Sequence, residues 1–563
     1  MKTLLRNAKI FTASPKGDWA EALVYEDDKI LYVGRDDREE WEKVTGNDVK
    51  EIDAEGKAVF PGFIDSHIHP AAVAMSAWHI KVPMFDKVED FLDHIGEYAR
   101  KHPKEEIPFL YFEYYPTDMF DVGGPTKELL DRVINDRPCL CQDFGEHMHW
   151  VNSRMLELME VDASTPDPVP GLEMFERDED GNPTGWVKEF AWQHFAEKMY
   201  EKIGWTPPET VDEDTLMPVL DFFKEHGITA VFDAVIESEE QLEALKRLEK
   251  QGKLKVFYDA AVRFWSYEDL PEKIALLRDY QKKYGGGQLQ IRTMKLFLDG
   301  TNEAGNGALL EPHINDPQKE NYGEIKMERD ELVNCLLLCN EEGLDVHIHI
   351  VGDRAFRTGW QAVEQAQGVA AGKGKPWNIQ VVLAHCEMVA PEDMGKPAQL
   401  GISINWSCHW SGGYFGEEAK NFISEEKWNR MYRFNEMIAS GAQVAFSSDV
   451  VTYYELERAD PLFGIQIANT RIDPQFPLDA ERYEGSVRPM KDARIPLSDL
   501  FRGYTIEGAR QLHKQDVMGS LEAGKTANFC VLAQNPFETE KNKIKDITFA
   551  AVVYEGEVIH GAL

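Results

Sequence analysis

The stretch "PGFIDSHIHP", residues 61–70, sets two histidines two apart behind an apolar run and a Pro-Gly, and then stops the run with a proline. If Val59, Phe60, Phe63 and Ile64 begin a strand that continues to His69, His67 and His69 face the same side of it. Two imidazoles facing one way can grip one metal ion.

Working outward, near-continuous apolar runs alternate with helical stretches from about residue 227: ITAVFDAV, KVFYDAAV, IRTMKLFLDG, LDVHIHIVGD, IQVVLAHCE, GISINWS and QVAFSSDV. Strands covered on both faces read this way, and helices between them make parallel βαβ units. With the PGFIDSHIH run they number eight, which predicts an α/β fold built on a (β/α)₈ TIM-like barrel. Residues 75–214 interrupt the count with the runs PFLYFEYY and CLCQDFGEH and the proline-rich STPDPVPG. They are expected to be an α/β insertion after the first barrel strand.

Residues 1–60 read as short strands and turns, and so does the far end, with Phe529–Leu532 and Ala550–Tyr554. The expected organisation is therefore a β-rich piece over 1–60, barrel strand 1 over 61–74, the insertion, the rest of the barrel over 215–512, and a second β-rich piece over 513–563.

Polar residues fall within the apolar runs at telling places. His67 and His69 close the first run, Lys295 lies in the fourth, His349 in the fifth and His385 in the sixth, and Asp449 ends the eighth. The C-terminal ends of barrel strands share one opening, so six residues far apart in sequence are expected to meet there. Four neutral imidazoles and a carboxylate suit Zn²⁺ or a similar divalent cation, one ion or two. Lys295 is the odd member. Its amine loses a proton readily when desolvated and can then add carbon dioxide to become a carbamate; an ion pair with Asp299 or another carboxylate is the plainer alternative. His347, two before His349, could replace it as a ligand.

At 563 residues and 43% hydrophobic content the chain can bury more than one core. Sixty-one Lys and Arg stand against 99 Asp and Glu, a formal charge of −38 that disfavours a nucleic-acid partner. Met1–Phe11 has no secretory pattern, and no stretch approaches a membrane span. The seven cysteines are scattered without a CxxC pair, so neither a disulfide framework nor a cysteine zinc site is expected, and the cytoplasm is the default. A small molecule is the expected partner, and a homodimer is compatible with the sequence.

The ordered set of motifs resembles the amidohydrolase superfamily. Within it, MKLFLDG (294–300), HIVGDRA (349–355), LAHCE (383–387) and SSD (447–449) resemble the amidohydrolase-3, YtcJ-like branch, which includes N-substituted formamide deformylases. GALLEPH, WVNS, DPLFGIQIANTR and GSLEAGKTAN agree with it. The resemblance implies that both chain ends join in one small β-sandwich. It also implies that His67, His69, His349, His385 and Asp449 bind metal and that Lys295 carries the bridging carbamate. Departures at Ser447-Ser448-Asp449, at Gly145 ahead of His147 and at Trp406-Ser407 ahead of His409 touch the substrate pocket more than the metal site.

Such a site activates water, and Asp449 as general base would serve hydrolysis of a small N-substituted amide. A cyclic amidohydrolase or deaminase would use the same metal set, and a non-catalytic metal-binding regulatory protein is the third reading. The aromatic residues Trp406, Trp410, Tyr414 and Phe415, together with His409 and Trp150, are expected to line the pocket. His147, Glu189 and His409 are candidates for substrate contact or proton transfer.

Overall fold

The stretch that opens on Pro61 belongs to two sheets. In a computed structural model, which describes all residues except 47–48, 86, 117–118, 121–122, 146, 171–172 and 414–416 and the side chain of residue 418, Ala58–Pro61 pairs with Phe529–Leu532 and Lys9–Ser14. Phe63–Ile68 pairs instead with Ile228–Asp233. The single strand expected through His69 is thus broken at Gly62, and His69 follows the second strand as the cap of a short helix, Pro70–Met75. The break has a steric cause: a Cβ on Gly62 would sit 2.2 Å from Thr229 Oγ1, so only glycine lets the chain pass between the sheets here.

Eight parallel strands follow one another in chain order: β1 (Phe63–Ile68), β2 (Ile228–Asp233), β3 (Phe257–Arg263), β4 (Leu289–Phe297), β5 (Asp345–Ile350), β6 (Val381–His385), β7 (Ser403–Ser407) and β8 (Gln443–Ser447). All residues of β1, β2, β5, β6 and β7 are buried, as a sheet covered on both faces requires. The seam between β8 and β1 is bridged by hydrogen bonds. Asp449 N–H donates to His67 O at 2.8 Å, His69 N–H to Val450 O at 3.1 Å, and Ser66 Oγ to Phe446 O at 2.7 Å. The fold is a TIM-like α/β barrel.

Helices Glu213–Glu225, Glu239–Lys250, Leu270–Tyr284, Arg329–Glu342 and Asp353–Gly372 supply the early crossovers. The first starts at a capping box, with Asp212 Oδ1 accepting from Thr215 N–H and Thr215 Oγ1 accepting from Asp212 N–H, both at 2.9 Å. Between β1 and β2 lies a six-stranded sheet running from Ile80–Lys81 to Pro183–Lys188, with Met174–Arg177 at its edge. Strands from both chain ends are hydrogen-bonded in one further six-stranded sheet. It shares a core with a four-stranded N-terminal sheet, through Leu5, Leu23 and Ile30 on one side and Val59, Phe529 and Val553 on the other. Among the described residues no helix is long and apolar enough to cross a membrane.

Gly62 N–H also donates to Asn528 O at 3.0 Å, joining the barrel entry to the C-terminal strands. Gly62→Ala is expected to lower unfolding stability by about 1–3 kcal/mol through overpacking. Thr229→Gly in the same chain should restore part of that loss. Urea midpoints of the two variants check this, and an unchanged midpoint for Gly62→Ala would contradict the packing argument.

Candidate active site

Asp449 follows β8 and takes a left-handed backbone, φ +56°. Asparagine and aspartate tolerate that region better than most residues, but it is uncommon for any side chain with a Cβ. The turn aims the carboxylate across the barrel mouth. Oδ1 lies 3.3 Å from His67 Nε2 and 3.4 Å from His69 Nε2, and Oδ2 lies 3.3 Å from His385 Nδ1. His385 itself ends β6 at φ +71°. A histidine held there by its neighbours is the kind of strain that gathers at functional sites.

The His349 ring lies 4.5 Å from that of His385, centroid to centroid, and its Nε2 is 3.3 Å from Gly300 O. His347 stands behind the cluster, with its Nε2 3.0 Å from His67 Nδ1. One of those two nitrogens donates to the other, which leaves His67 Nε2 facing Asp449. The structure therefore brings His67, His69, His349, His385 and Asp449 to one mouth and gives His347 a supporting place.

Burial and the nearby Lys295 ammonium hold His67, His347 and His349 well below the ordinary imidazole range, and burial with the neighbouring His349 does the same for His385. These rings are neutral, the form that ligates metal. Burial also draws Lys295 down to about 7. Among the described residues no carboxylate lies within 4 Å of its amine; Asp299 is committed to the N–H groups of Ala308, Val351 and Gly352 at 3.0, 3.0 and 2.8 Å. His385 Nδ1 is buried and without a hydrogen-bond partner among the described residues. Ligand atoms of His67, His69 and Asp449 all lie within 4.8 Å of one another. An orphaned imidazole nitrogen beside a carboxylate shared by two further imidazoles is a donor set that fits a divalent cation.

Sequence reasoning missed the residues that hold this mouth together. Asp65 is fully buried and pushed up to about 7 by that burial. Its Oδ2 accepts from Ser448 Oγ at 2.6 Å and its Oδ1 from Ser448 N–H at 3.1 Å and His67 N–H at 3.3 Å. An acid two residues before His67, following the apolar Phe63-Ile64, was the available signal. Asn405 in β7 works the same seam, donating to Ser66 O at 3.0 Å and accepting from Ser447 Oγ at 2.9 Å.

A cavity of about 690 Å³ opens beside His349, between the barrel mouth and the insertion. His147 and Glu189 both line it, with His147 Nδ1 2.7 Å from Glu189 Oε2. Burial opposes charge on His147, but the attraction of Glu189 outweighs it and carries the imidazole up to about 9. Trp410 stacks on the His385 ring at 5.3 Å. The other expected pocket residues sit elsewhere. Trp150 is fully buried in the insertion, edge-on to Phe120 and Tyr115, with its indole N–H donated to Thr126 O. Trp406 is buried and stacks on Phe434 at 4.0 Å. His409 receives a hydrogen bond from Arg458 at 2.8 Å on Nδ1 and donates from Nε2 to Ser448 O at 2.6 Å, bracing the turn into Asp449 from behind. Tyr414 and Phe415 lie outside the described residues.

Comparison with known proteins gives the family. A family model described as "Amidohydrolase family" matches residues 50–560. The exoenzymes regulatory protein AepA of Pectobacterium carotovorum subsp. carotovorum is 31% identical over 78% of this chain and 92% of its own. The putative amidohydrolase YtcJ of Bacillus subtilis is 24% identical over 100% of this chain and 99% of its own, and the N-substituted formamide deformylase of Arthrobacter pascens 23% over 98% and 97%. An uncharacterized metal-dependent hydrolase from Pyrococcus horikoshii shares the fold with a TM-score of 0.66 at 23% identity, covering 96% of this chain and 99% of that one. With its model matched over nearly the whole length, the chain belongs to the amidohydrolase family and is a hydrolase of carbon–nitrogen bonds.

Proposed function

We propose that the chain is a metal-dependent amidohydrolase that cleaves the C–N bond of a small N-substituted amide, formamides included. The observation that carries this reading is the meeting of three imidazoles from β1, its end and β6 on the two oxygens of Asp449. His67, His69, His349, His385 and Asp449 would hold Zn²⁺, or one or two divalent cations of similar kind. When bound, such a cation acts as a Lewis acid and lowers the pKa of water to about 7.

The chain's own groups do the rest. Asp449 takes the proton of a water as its oxygen bonds to the amide carbonyl carbon, and passes that proton to the nitrogen as the C–N bond breaks. The products are an acid and an amine. His347, hydrogen-bonded to His67, fixes the tautomer and tilt of that ring. Trp410 covers the face of His385 and keeps bulk water from it. Lys295, buried and with no carboxylate within 4 Å of its amine among the described residues, is suited to add carbon dioxide: an N–C bond would form and a proton would leave, giving a carbamate that would serve as a further carboxylate-like ligand.

In the same reading the two terminal sheets form one small β-sandwich over 1–60 and 513–563, beside a barrel of residues 61–74 and 215–512 and an insertion over 75–214. The name of the Pectobacterium relative favours a second reading, a regulatory protein without turnover. A chain that only bound a partner would have no need of an acid poised on three imidazoles.

Assay of N-substituted formamides, acyl amino acids and cyclic amides, with and without chelator, decides between the two. Turnover that falls on chelation and returns with Zn²⁺ is the expected result; no turnover on the whole panel by metal-loaded protein would refute the hydrolytic reading. Asp449→Asn should lower kcat by about 10²–10⁴-fold, the usual contribution of a general base. Lys295→Ala should lose bound metal, with partial recovery of metal content and activity in added propionate, a carboxylate small enough to replace the carbamate. Full metal content in Lys295→Ala without additive would count against the carbamate.

A further inference from the structure

The cavity beside His349 is lined by both acids and bases, and they are unequally satisfied. Glu173 pairs with His194 at 2.6 Å and Glu189 with His147 at 2.7 Å. Asp299 accepts three backbone N–H groups, and Glu324 is exposed at the rim. The two strong bases, Arg263 and Lys326, have no carboxylate within 4 Å among the described residues, although the chain carries 99 acids against 61 Lys and Arg.

Both bases are positioned by aromatic rings. Trp265 and Phe297 stack at 5.7 Å. The Arg263 guanidinium carbon lies 5.0 Å from the Trp265 centroid, and Lys326 Nζ lies 4.3 Å from Trp265 and 5.9 Å from Phe297. Stacking holds a cation without neutralising it, so both remain available to an anion. Lys326 is fixed further by its backbone N–H, which donates to Leu298 O at 2.9 Å, while Leu298 N–H donates to His349 O at 3.0 Å. Burial draws the Lys326 ammonium down to about 8 against the pull of Glu189 and Glu173, neither of which comes within 4 Å of it. From this shelf the rings lead inward, Phe297 to His349 at 5.0 Å and His349 to His385 at 4.5 Å.

We propose that Arg263 and Lys326 form a carboxylate-binding subsite, so that the amide cleaved at the metal centre bears a carboxylate on an apolar body, as an N-acyl amino acid does. A guanidinium offers two parallel N–H donors to the two carboxylate oxygens, and an ammonium adds a second point charge. Phe297 and Phe190 give the body of the substrate an apolar wall. The inference rests on the amidohydrolase reading of the neighbouring site, and it narrows the substrate from any small amide to an anionic one.

Calorimetric titration of the metal-loaded enzyme with N-acetylphenylalanine and with its uncharged analogue N-acetylphenylalaninamide tests this without requiring turnover. The native enzyme should bind the carboxylate at least tenfold more tightly. Arg263→Met with Lys326→Met should abolish that preference and leave amide binding within twofold, which also shows the variant is folded. Arg263→Lys should keep part of the preference. Equal binding of the two ligands by the native enzyme overturns the proposal, and so does a preference that survives in the double variant, since the carboxylate would then be held by the metal centre. If the preference behaves as stated while no amide is hydrolysed, the subsite stands and the hydrolytic reading falls. Hydrolysis of neutral amides with no carboxylate preference has the opposite meaning.

Discussion

The hydrogen bond from Asp449 N–H to His67 O, 2.8 Å long, ties the last barrel strand to the first. Without that closure His67 in β1, His69 just after it and the acid after β8 would lie on opposite edges of an open sheet. Asp65, through Ser448, and His409, through the Ser448 carbonyl, brace the same turn from two sides. The site is therefore a consequence of how the cylinder closes, and its geometry is as rigid as that seam.

The closure carries costs. Asp449 and His385 are held in left-handed backbone, and each such residue costs on the order of 1–3 kcal/mol and persists because its surroundings impose it. Burying His67, His349, His385 and Lys295 within one mouth strips these groups of most of their water. The structure lowers that penalty by keeping His67 and His385 neutral and by drawing Lys295 down to about 7. A cation bound by the orphaned His385 nitrogen and its neighbours would offset the remainder, and the strain then becomes pre-organisation of a ligand set.

Much of this was legible in the sequence because parallel strands covered on both faces leave unbroken apolar runs, and a histidine or aspartate inside such a run stands out. His67, His69, His349, His385 and Asp449 were all visible on that ground. Less visible were roles set by three-dimensional neighbours. The choice between His347 and His349 depends on which ring nitrogen meets His67 and which meets Gly300, and strand periodicity is blind to that because both residues point the same way. Trp150 and Trp406 looked like pocket wall since they flank functional motifs, yet aromatic rings that large are drawn into cores by their area. Gly62 hid a change of sheet inside what reads as one strand. Arg263 and Lys326, at the end of β3 and in the loop after β4, carry no sequence signal, because whether a base lacks a partner is a property of space alone.

The insertion and the barrel divide the work between them. In the proposed reading the barrel mouth would supply the reacting groups from strand ends, while His147, Glu189 and Phe190 line the cavity from the insertion. Such a division lets the reaction stay fixed while the outer wall sets the substrate. The central claim is that groups from both sides of the seam share one cation. Anomalous diffraction at the zinc edge, from crystals grown with Zn²⁺, tests it most directly. The account predicts a peak about 2.0–2.2 Å from a nitrogen of His67 and of His69 and from an oxygen of Asp449, with density extending past Lys295 Nζ. A mouth without a peak, or zinc found only among the surface carboxylates, would contradict it.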